Sequence, residues 1–383
     1  MQNGRTACEP PPSRITPGSS ISQQALPEGA EGPPSRGHPD LAISRAPRAP
    51  HTWTQCPGAA FHVRQGPNYA VTGKKARSSV EKQGPVWPAS AARAADWPRP
   101  AEAPPGSLSH ALALKEASGE PAGRKAEPPC FRRTQAPSGA PLYEVVACDA
   151  FTSETKLSHL ARVMALPDEP HCSDLPPLLI VNFMIPNYAP SGMMATAKRT
   201  DGPGWNFVLY CRLTADVRKA VEDGRPLPPA VELWRRFVHP TEGLPLRQNR
   251  VKMIFGLTDT EEPGFSLVTK TLVNRYNYKP FLSKTACSFY SVPGKYFEID
   301  LDIHTWSSAA LNGLNTIKSR MSHCLGRVGT VIEADDDQDM PEQMLAGVYL
   351  TYLDPAMCRP FDPTLTRYLN DERNLMPPLT GSL

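Results

Sequence analysis

Large apolar side chains are scarce in the first 140 residues of this 383-residue chain. Leucine, isoleucine, valine and phenylalanine together occupy only 14 of these positions, whereas proline and glycine occupy 35. A segment with so few apolar residues cannot bury enough surface to offset the conformational entropy lost on ordering. We therefore predict that residues 1–140 form a disordered arm, which excludes a second packed domain in this part of the chain.

The sequence also lacks the motifs of common enzyme classes. It contains no P-loop, no G-x-S-x-G elbow, no H-E-x-x-H and no G-x-G-x-x-G pattern. Its nine cysteines include no C-x-x-C pair, which favours reduced thiols in the cytoplasm over a disulfide framework or a zinc site. The acidic segment 335–339 lacks the glycine and glutamate of a calcium loop and is predicted to be solvated. We expect no metal and no cofactor.

Long hydrophobic runs and a basic folded domain are missing as well. The longest apolar run, residues 178–186, is far shorter than the roughly 20 residues that span a bilayer, so no transmembrane segment is predicted.

Residues 1–140 carry 17 Lys and Arg against 10 Asp and Glu, whereas residues 141–383 carry 24 against 28. Because the part predicted to fold is net acidic and has no basic–aromatic motif, we expect no nucleic-acid partner.

Periodic apolar patterns begin near residue 141. Seven strands are predicted, at residues 143–151, 179–185, 205–213, 251–256, 296–304, 328–333 and 345–353. Helical spacing predicts helices over residues 153–164 and 230–238, and a long one over 308–325 whose buried residues are Leu311, Leu314, Ile317, Met321 and Leu325. Strands outnumber helices and several connections are short. We therefore predict an α+β fold, with a largely antiparallel sheet and the long C-terminal helix packed on it. Residues 356–383 are interpreted as a C-terminal tail.

Several short motifs follow one another between residues 141 and 355. They are residues 143–151 (YEVVACDAF), 156–162 (KLSHLAR), 181–186 (VNFMIP), 207–213 (FVLYCRL), 246–253 (LRQNRVKM), 279–282 (KPFL), 294–303 (GKYFEIDLDI) and 341–347 (PEQMLAG). In this order they resemble the C-terminal domain of the plant Enhanced Disease Resistance 2 protein family. Fuller members of the family carry a pleckstrin-homology domain and a START lipid-transfer domain upstream, and the composition of residues 1–140 fits neither.

The resemblance implies a non-enzymatic regulatory module that works at or near membranes. Its expected partner is an anionic lipid or a membrane-associated protein, and its expected location is cytoplasmic and peripheral to membranes. The densest basic cluster contains Arg235 and Arg236 together with Arg247, Arg250 and Lys252, which lie on the family's basic segment. Guanidinium groups bind phosphate oxygens in pairs. Arg247, Arg250 and Lys252 are therefore the candidate residues for a lipid headgroup.

Two alternatives come from other features of the sequence. Glu298, Asp300 and Asp302 alternate with apolar residues along a predicted strand, so they share one face. We interpret this carboxylate face as the solvated side of a half-buried strand. If buried, the same residues would suit a metal-dependent hydrolase. The second alternative is a scaffold whose proline-rich arm recruits partner proteins.

Overall fold

Two six-stranded sheets form the framework of the protein. A computed structural model describes residues 13–18, 20–24, 50–65, 135–190, 199–257, 264–283, 285–371 and 378–379. The strands in this part of the chain are β1 (Ser22–Gln23), β2 (Thr52–Gln55), β3 (His62–Arg64), β4 (Gln135–Pro137), β5 (Tyr143–Ser153), β6 (Leu178–Pro186), β7 (Gly204–Leu213), β8 (Val251–Leu257), β9 (Pro280–Leu282), β10 (Cys287–Val292), β11 (Tyr296–Asp302), β12 (Leu325–Ile332), β13 (Met344–Thr351) and β14 (Arg359–Pro360).

The helices in the same part of the chain are fewer than the strands. They are α1 (Ala215–Glu222), α2 (Pro229–Val238), α3 (Gly243–Arg247), α4 (Leu267–Tyr276), α5 (Ser308–Lys318) and α6 (Pro363–Asn370), with short 3₁₀ turns between other elements. No helix in the described part of the chain is long and apolar enough to cross a membrane.

The pairing of the strands is mostly antiparallel. The first sheet has the order β10-β11-β6-β7-β5-β14, the second has the order β1-β2-β13-β12-β8-β9, and β3 pairs with β4 in a separate ribbon. The parallel neighbours are β11 with β6, β14 with β5 and β1 with β2. The predicted α+β class and largely antiparallel pairing are thus confirmed, with two large sheets where the sequence analysis predicted one.

The main hydrophobic core contains residues from both six-stranded sheets. On the central strand β6, Leu179, Val181 and Phe183 belong to this core, whereas Ile180 belongs to a second one on the opposite face of the first sheet. Successive side chains of a strand point to opposite faces, so a strand that is covered on both faces is apolar along its whole length. This explains why residues 178–186 read as one continuous apolar run.

The second core is formed by residues 157–164 and α6, which cover the outer face of the first sheet. Leu160 and Met164 from the covering segment, and Leu365 and Leu369 from α6, are all buried there. The segment interpreted as a C-terminal tail therefore contributes strand β14 and helix α6 to the fold.

The prediction that all of residues 1–140 are disordered is wrong for residues 50–65. Strand β2 pairs antiparallel with β13 at the edge of the second sheet, and Trp53 is fully buried in the main core. The average composition misled the prediction because three large apolar side chains, Trp53, Phe61 and Val63, are buried against the second sheet although the region as a whole has few such residues. The residues of 1–140 outside the described ranges are not assigned a structure.

Phe61 packs against the outer face of the second sheet. Gly329 and Gly347 lie opposite each other on β12 and β13, and a Cβ atom at Gly347 would come within 2.7 Å of the Phe61 ring. The two glycines thus leave the space that the aromatic ring occupies. Phe61 and Val63 join Ile254, on β8, in a third, smaller core that covers this face.

The long C-terminal helix is not present. Helix α5 begins after Ser307, whose side chain accepts a hydrogen bond from the backbone of Ala310, and it ends at Lys318. Met321 lies in a 3₁₀ turn and Leu325 opens β12. Both residues fit helical spacing by position, but they pack as parts of these later elements. The prediction failed because burial alone does not distinguish a helix from a turn followed by a strand.

We expect the Trp53→Ala variant to test whether residues 50–65 belong to the folded unit. Truncating a buried aromatic side chain lowers the free energy of unfolding by about 3–5 kcal/mol. The measurement is urea unfolding followed by far-ultraviolet circular dichroism. Met357→Ala is the control, because Met357 is 54% exposed and its truncation should change the stability by less than about 0.5 kcal/mol. Equal stability of the two variants would contradict the burial of Trp53.

Candidate functional site

Glu298 and Asp300 on β11 are fully buried. The alternation predicted from the sequence is present, because Phe297 and Ile299 lie in the main core while the two carboxylates face residues 157–164. The interpretation of a solvated carboxylate face is therefore wrong for Glu298 and Asp300. The covering segment excludes water from the side of the strand that the sequence marked as polar.

Backbone N–H groups of the covering segment meet the two carboxylates. Glu298 accepts hydrogen bonds from the backbone of Leu160 at 2.8 Å and of Ala161 at 3.1 Å. Asp300 accepts one from the backbone of His159 at 2.8 Å. These donors lie at the start of a 3₁₀ turn, where backbone N–H groups have no partner within the turn. The carboxylates thus attach one motif of the sequence, residues 156–162, to another, residues 294–303.

These hydrogen bonds also account for the missing helix at residues 153–164. The apolar residues Leu157, Leu160 and Met164 are buried as the helical spacing predicts. The backbone donors of residues 159–161, however, bond to carboxylates on β11 instead of to carbonyls one turn earlier. His159 has a positive φ of 54°, which is incompatible with a continuous right-handed helix.

Two asparagine side chains extend the buried polar network. The Nδ2 group of Asn182 donates to Asp300 Oδ1 at 3.0 Å and to the carbonyl of Leu157 at 2.9 Å. The Nδ2 group of Asn206 donates to the same carbonyl at 2.8 Å and to Asn182 Oδ1 at 2.7 Å. Sequence reasoning missed both residues. Their only signal is a polar side chain inside the apolar strands β6 and β7.

The pKa values of both carboxyl groups are raised. Burial, and then the neighbouring Asp300, raise the pKa of Glu298 well above its ordinary value. Burial also raises the pKa of Asp300, but hydrogen bonds from His159, Asn182 and Glu298 oppose this, so the pKa is raised only to about 6. Asp300 is therefore the carboxyl group of the pair that loses its proton first as the pH rises, because its hydrogen bonds favour the charged form.

His159 lies beside this pair and is held by aromatic residues. Its Nε2 atom is 2.9 Å from the Tyr296 hydroxyl, and its ring stacks on Tyr290 with the centroids 4.1 Å apart. Burial lowers the pKa of His159 to about 3, so the ring is neutral at physiological pH. Through its contacts with Tyr290 and Tyr296, the neutral ring of His159 holds the covering segment, residues 157–164, against the first sheet.

Asp302, the third residue of the predicted carboxylate face, is only half-buried and forms a separate set of contacts. It pairs with Lys156 at 2.8 Å and accepts a hydrogen bond from the backbone of His304 at 3.0 Å. The three carboxylates therefore do not converge. Among the residues that the structure describes, no group of three or more His, Cys, Asp or Glu side chains is arranged to hold a metal.

Arg247, the first candidate headgroup residue, is buried and binds carbonyl oxygens. Its guanidinium donates to the carbonyls of Phe237 at 2.8 Å, His239 at 3.1 Å and Pro240 at 2.8 Å. Burial lowers the pKa of Arg247. These carbonyls lie at and just beyond the C-terminus of α2, where the helix has no internal donors for them. Arg247 thus connects α3 to the end of α2.

Arg250 and Arg236 are paired with the acidic segment 335–339. Arg250 lies 3.0 Å from Asp335 and also donates to the carbonyl of Glu333 at 3.2 Å. Arg236 forms an ion pair with Asp339. Asp335 and Asp339 of the segment predicted to be solvated are therefore paired with the basic cluster, whereas Asp336 and Asp337 are exposed as predicted.

Lys252, the last candidate headgroup residue, is buried in an ion-pair network around Glu342. Its Nζ atom lies 2.5 Å from Glu342 Oε1, which also accepts hydrogen bonds from Arg64 Nε at 2.8 Å and from the backbone of Ala334 at 3.0 Å. Burial lowers the pKa of Lys252, and Glu342 opposes that shift. Sequence reasoning missed Glu342 and Arg64, although Glu342 lies in the motif at residues 341–347.

A different surface combines exposed apolar residues with positive charge. We call it the α4–α5 region and define it as residues 264–283 and 305–323, where α4 and α5 pack together through Val273 and Ile317. Leu267 is 82% exposed and Tyr276 is 60% exposed. The region contains five Lys or Arg and no Asp or Glu. The absence of acidic residues was visible in the sequence but was not used.

Comparison with known proteins identifies one family. The family model described as Protein ENHANCED DISEASE RESISTANCE 2, C-terminal, matches residues 131–354, which is more than half of the chain. No curated protein sequence and no solved structure matches the chain. The resemblance drawn from the short motifs is thus confirmed, and the match begins ten residues before the boundary predicted at residue 141.

We expect Glu298→Gln and Asp300→Asn to have unequal effects on stability. Glutamine carries no charge, like the protonated carboxyl group, and keeps one acceptor oxygen, so this change loses one hydrogen bond from a backbone N–H group and should cost about 1 kcal/mol. Asparagine removes the charge that accepts hydrogen bonds from His159 and Asn182 and should cost about 1.5–3 kcal/mol. Urea unfolding at pH 7 measures both. A larger loss of stability for Glu298→Gln than for Asp300→Asn would contradict the assignment of the charge to Asp300.

We also expect the pair to make stability depend on pH. In the unfolded chain both carboxyl groups titrate at about pH 4, whereas in the folded chain both pKa values are raised. The folded state therefore binds more protons above pH 4, and stability contributed by the pair is lost as the pH rises through about 6. The measurement is the unfolding free energy of wild type minus that of the Glu298→Gln/Asp300→Asn double variant. A difference that does not change with pH would contradict the raised pKa values.

Proposed function

The chain belongs to the ENHANCED DISEASE RESISTANCE 2 C-terminal family, and from this premise we propose that it is a non-enzymatic regulatory module that binds anionic membranes peripherally. The α4–α5 region is the proposed binding surface. The observation that carries the proposal is the exposure of Leu267 and Tyr276 in a region that has cations and no acidic residue.

The charge of the α4–α5 region differs from that of its surroundings. Residues 141–383 as a whole carry four more acidic than basic residues, whereas this region has a balance of +5. Anionic lipid headgroups attract such a patch, with roughly 1 kcal/mol for each cation near the surface. Exposed apolar side chains add to this by entering the boundary between headgroups and acyl chains. The combination is typical of a surface that meets a membrane.

Two cations of this region are more exposed than the predicted headgroup residues, whereas Lys318 is half-buried and donates to the carbonyl of Pro186 at 2.9 Å. Lys279 and Arg320 are exposed, whereas Arg247 and Lys252 are buried and Arg250 is paired with Asp335. We therefore propose that the basic segment 246–253 supports the fold and that the membrane contact is made elsewhere. The acidic residues Asp259, Glu261 and Glu262 precede α4 in the chain and lie outside the described residues.

The other two functions are less well supported. A hydrolase using Glu298, Asp300 and Asp302 needs carboxylate oxygens that face a substrate, but the oxygens of Glu298 and Asp300 face backbone N–H groups of the covering segment. A scaffold acting through the proline-rich arm depends on residues outside the described ranges. We therefore propose neither.

We expect flotation with lipid vesicles to test membrane binding. Wild-type protein should float with phosphatidylcholine vesicles that contain phosphatidylserine and not with phosphatidylcholine alone. Leu267→Ser should weaken binding about tenfold, because it removes the apolar part of an inserted side chain. Lys279→Glu should weaken it about fivefold or more, and added salt should reduce the binding of the wild type.

The control is Met357→Ser, because Met357 is an exposed apolar residue outside the α4–α5 region. This variant should float as the wild type does. Absence of wild-type binding would overturn the proposed function. If Arg250→Ala abolishes binding and Leu267→Ser leaves it unchanged, the membrane contact lies on the basic segment 246–253 and not on the α4–α5 region.

A further inference from the structure

A cavity of about 200 Å³ lies on the outer face of the second sheet, where the β3–β4 ribbon meets β8 and β9. Ile254, Val331 and Leu282 form an apolar wall of the cavity. Leu282 is 36% exposed and marks the rim where the cavity opens to solvent. The volume is below the roughly 300–1,000 Å³ of pockets for drug-sized ligands, so the cavity suits a smaller molecule.

Charged side chains also line the cavity, and Lys252 lies on the same sheet face as the apolar residues because it pairs with Val331 and Leu282 on the neighbouring strands. Arg64, Lys252, Glu333 and Glu342 all line the cavity, which gives two positive and two negative groups. Arg64 and Lys252 both bind Glu342, as described above. Buried charges are expensive unless they are paired, and the pairing leaves the lining without net charge.

Lys252 and Glu333 have hydrogen-bonding capacity left. Among the described residues, Lys252 Nζ has one hydrogen-bond partner, Glu342, although an ammonium group has three N–H donors. Glu333 lies 3.3 Å from Arg64 Nη2 and 3.9 Å from Lys252 Nζ, and a carboxylate has two oxygens that accept. One donor and one acceptor of opposite charge therefore remain in the cavity, beside the apolar side chains of Ile254, Val331 and Leu282.

We propose that this cavity binds a small zwitterion, a free L-amino acid with an aliphatic side chain. Its carboxylate would accept a hydrogen bond from Lys252, its ammonium group would donate to Glu333, and its side chain would pack against Ile254 and Val331. Each charged group of the ligand meets an opposite charge, and each apolar group meets an apolar wall.

Other ligands of this size fit the lining less well. Inorganic phosphate would face Lys252 but would also be repelled by Glu333 and Glu342. A polyamine would face Glu333 but would be repelled by Arg64 and Lys252. A purely apolar molecule would leave the unused donor and acceptor without partners, which costs free energy in a buried site.

The cavity that would hold the ligand is lined by parts of the chain that are distant in sequence. Arg64 and Val63 come from the segment 50–65, whereas Lys252 and Ile254 come from β8. A ligand that binds only the folded arrangement stabilises it by mass action. The amino acid would therefore strengthen the attachment of the N-terminal segment to the second sheet. This inference does not depend on membrane binding by the α4–α5 region.

Isothermal titration calorimetry of the full-length chain with L-leucine tests the proposal. L-leucine should give saturable binding. N-acetyl-L-leucine lacks the ammonium group and L-leucinamide lacks the carboxylate, so each should bind at least about tenfold more weakly. Glu333→Gln should weaken the binding of L-leucine by a similar factor, because it removes the charge that faces the ammonium group.

Leu282→Trp should abolish binding, because the indole would occupy the opening of the cavity. The matched control is Leu244→Trp, since Leu244 is 39% exposed and lies on α3, away from the cavity; it should bind L-leucine as the wild type does. No saturable binding of any aliphatic L-amino acid, or binding of inorganic phosphate in its place, would overturn the proposal. So would L-leucine binding that both Leu282→Trp and Glu333→Gln leave unchanged.

Discussion

The architecture depends on the buried carboxyl pair Glu298 and Asp300. A negative charge in the protein interior is strongly unfavourable unless hydrogen bonds replace its hydration. Here the replacement comes from backbone N–H groups of residues 159–161 and from the amide of Asn182. Because those donors belong to the segment that covers the first sheet, satisfying the charge also fixes the position of the cover. The second core follows from this, since Leu160 and Met164 can pack only when the segment lies across β11.

Buried carboxylates attach two further segments of the chain in the same way. Asp149 accepts hydrogen bonds from the backbone of Gly18 at 2.8 Å and of Ser20 at 3.1 Å, and Glu342 holds Arg64. Both segments lie outside residues 131–354, the part that matches the family. The folded unit therefore extends beyond the family domain, and much of its charge serves to hold the chain together. The basic cluster is neutralised because Asp335, Asp339 and Glu342 pair with it. The proposed membrane surface lies in the α4–α5 region, which has no acidic residues of its own.

Several elements could be predicted because their signals are local. The continuous apolar run of β6 and the alternation in β11 both predict strands, since side-chain direction in a strand follows from the backbone alone. The long helix over residues 308–325 and the helix over 153–164 could not be corrected from the sequence. In residues 153–164 the apolar residues are buried as the spacing indicates, but the backbone N–H groups of residues 159–161 bond to carboxylates that are distant in the chain. After Lys318 the backbone instead forms short local hydrogen bonds, such as that from Cys324 to the carbonyl of Met321, and then enters β12. The candidate headgroup residues do not form an open basic site for a similar reason. Arg250 pairs with Asp335 and Lys252 pairs with Glu342, and these partners are close only in the folded state.

The sequence by itself determined the family, the α+β class and which side chains of β11 share a face. Each of these depends on the order of residues or on the geometry of one element. Only the tertiary structure decided that the polar face of β11 is dry, that Trp53 belongs to the core, and that Lys252 is paired with Glu342. The physical reason is that burial and ion pairing are properties of two surfaces in contact. A sequence pattern describes one surface and carries no record of what covers it.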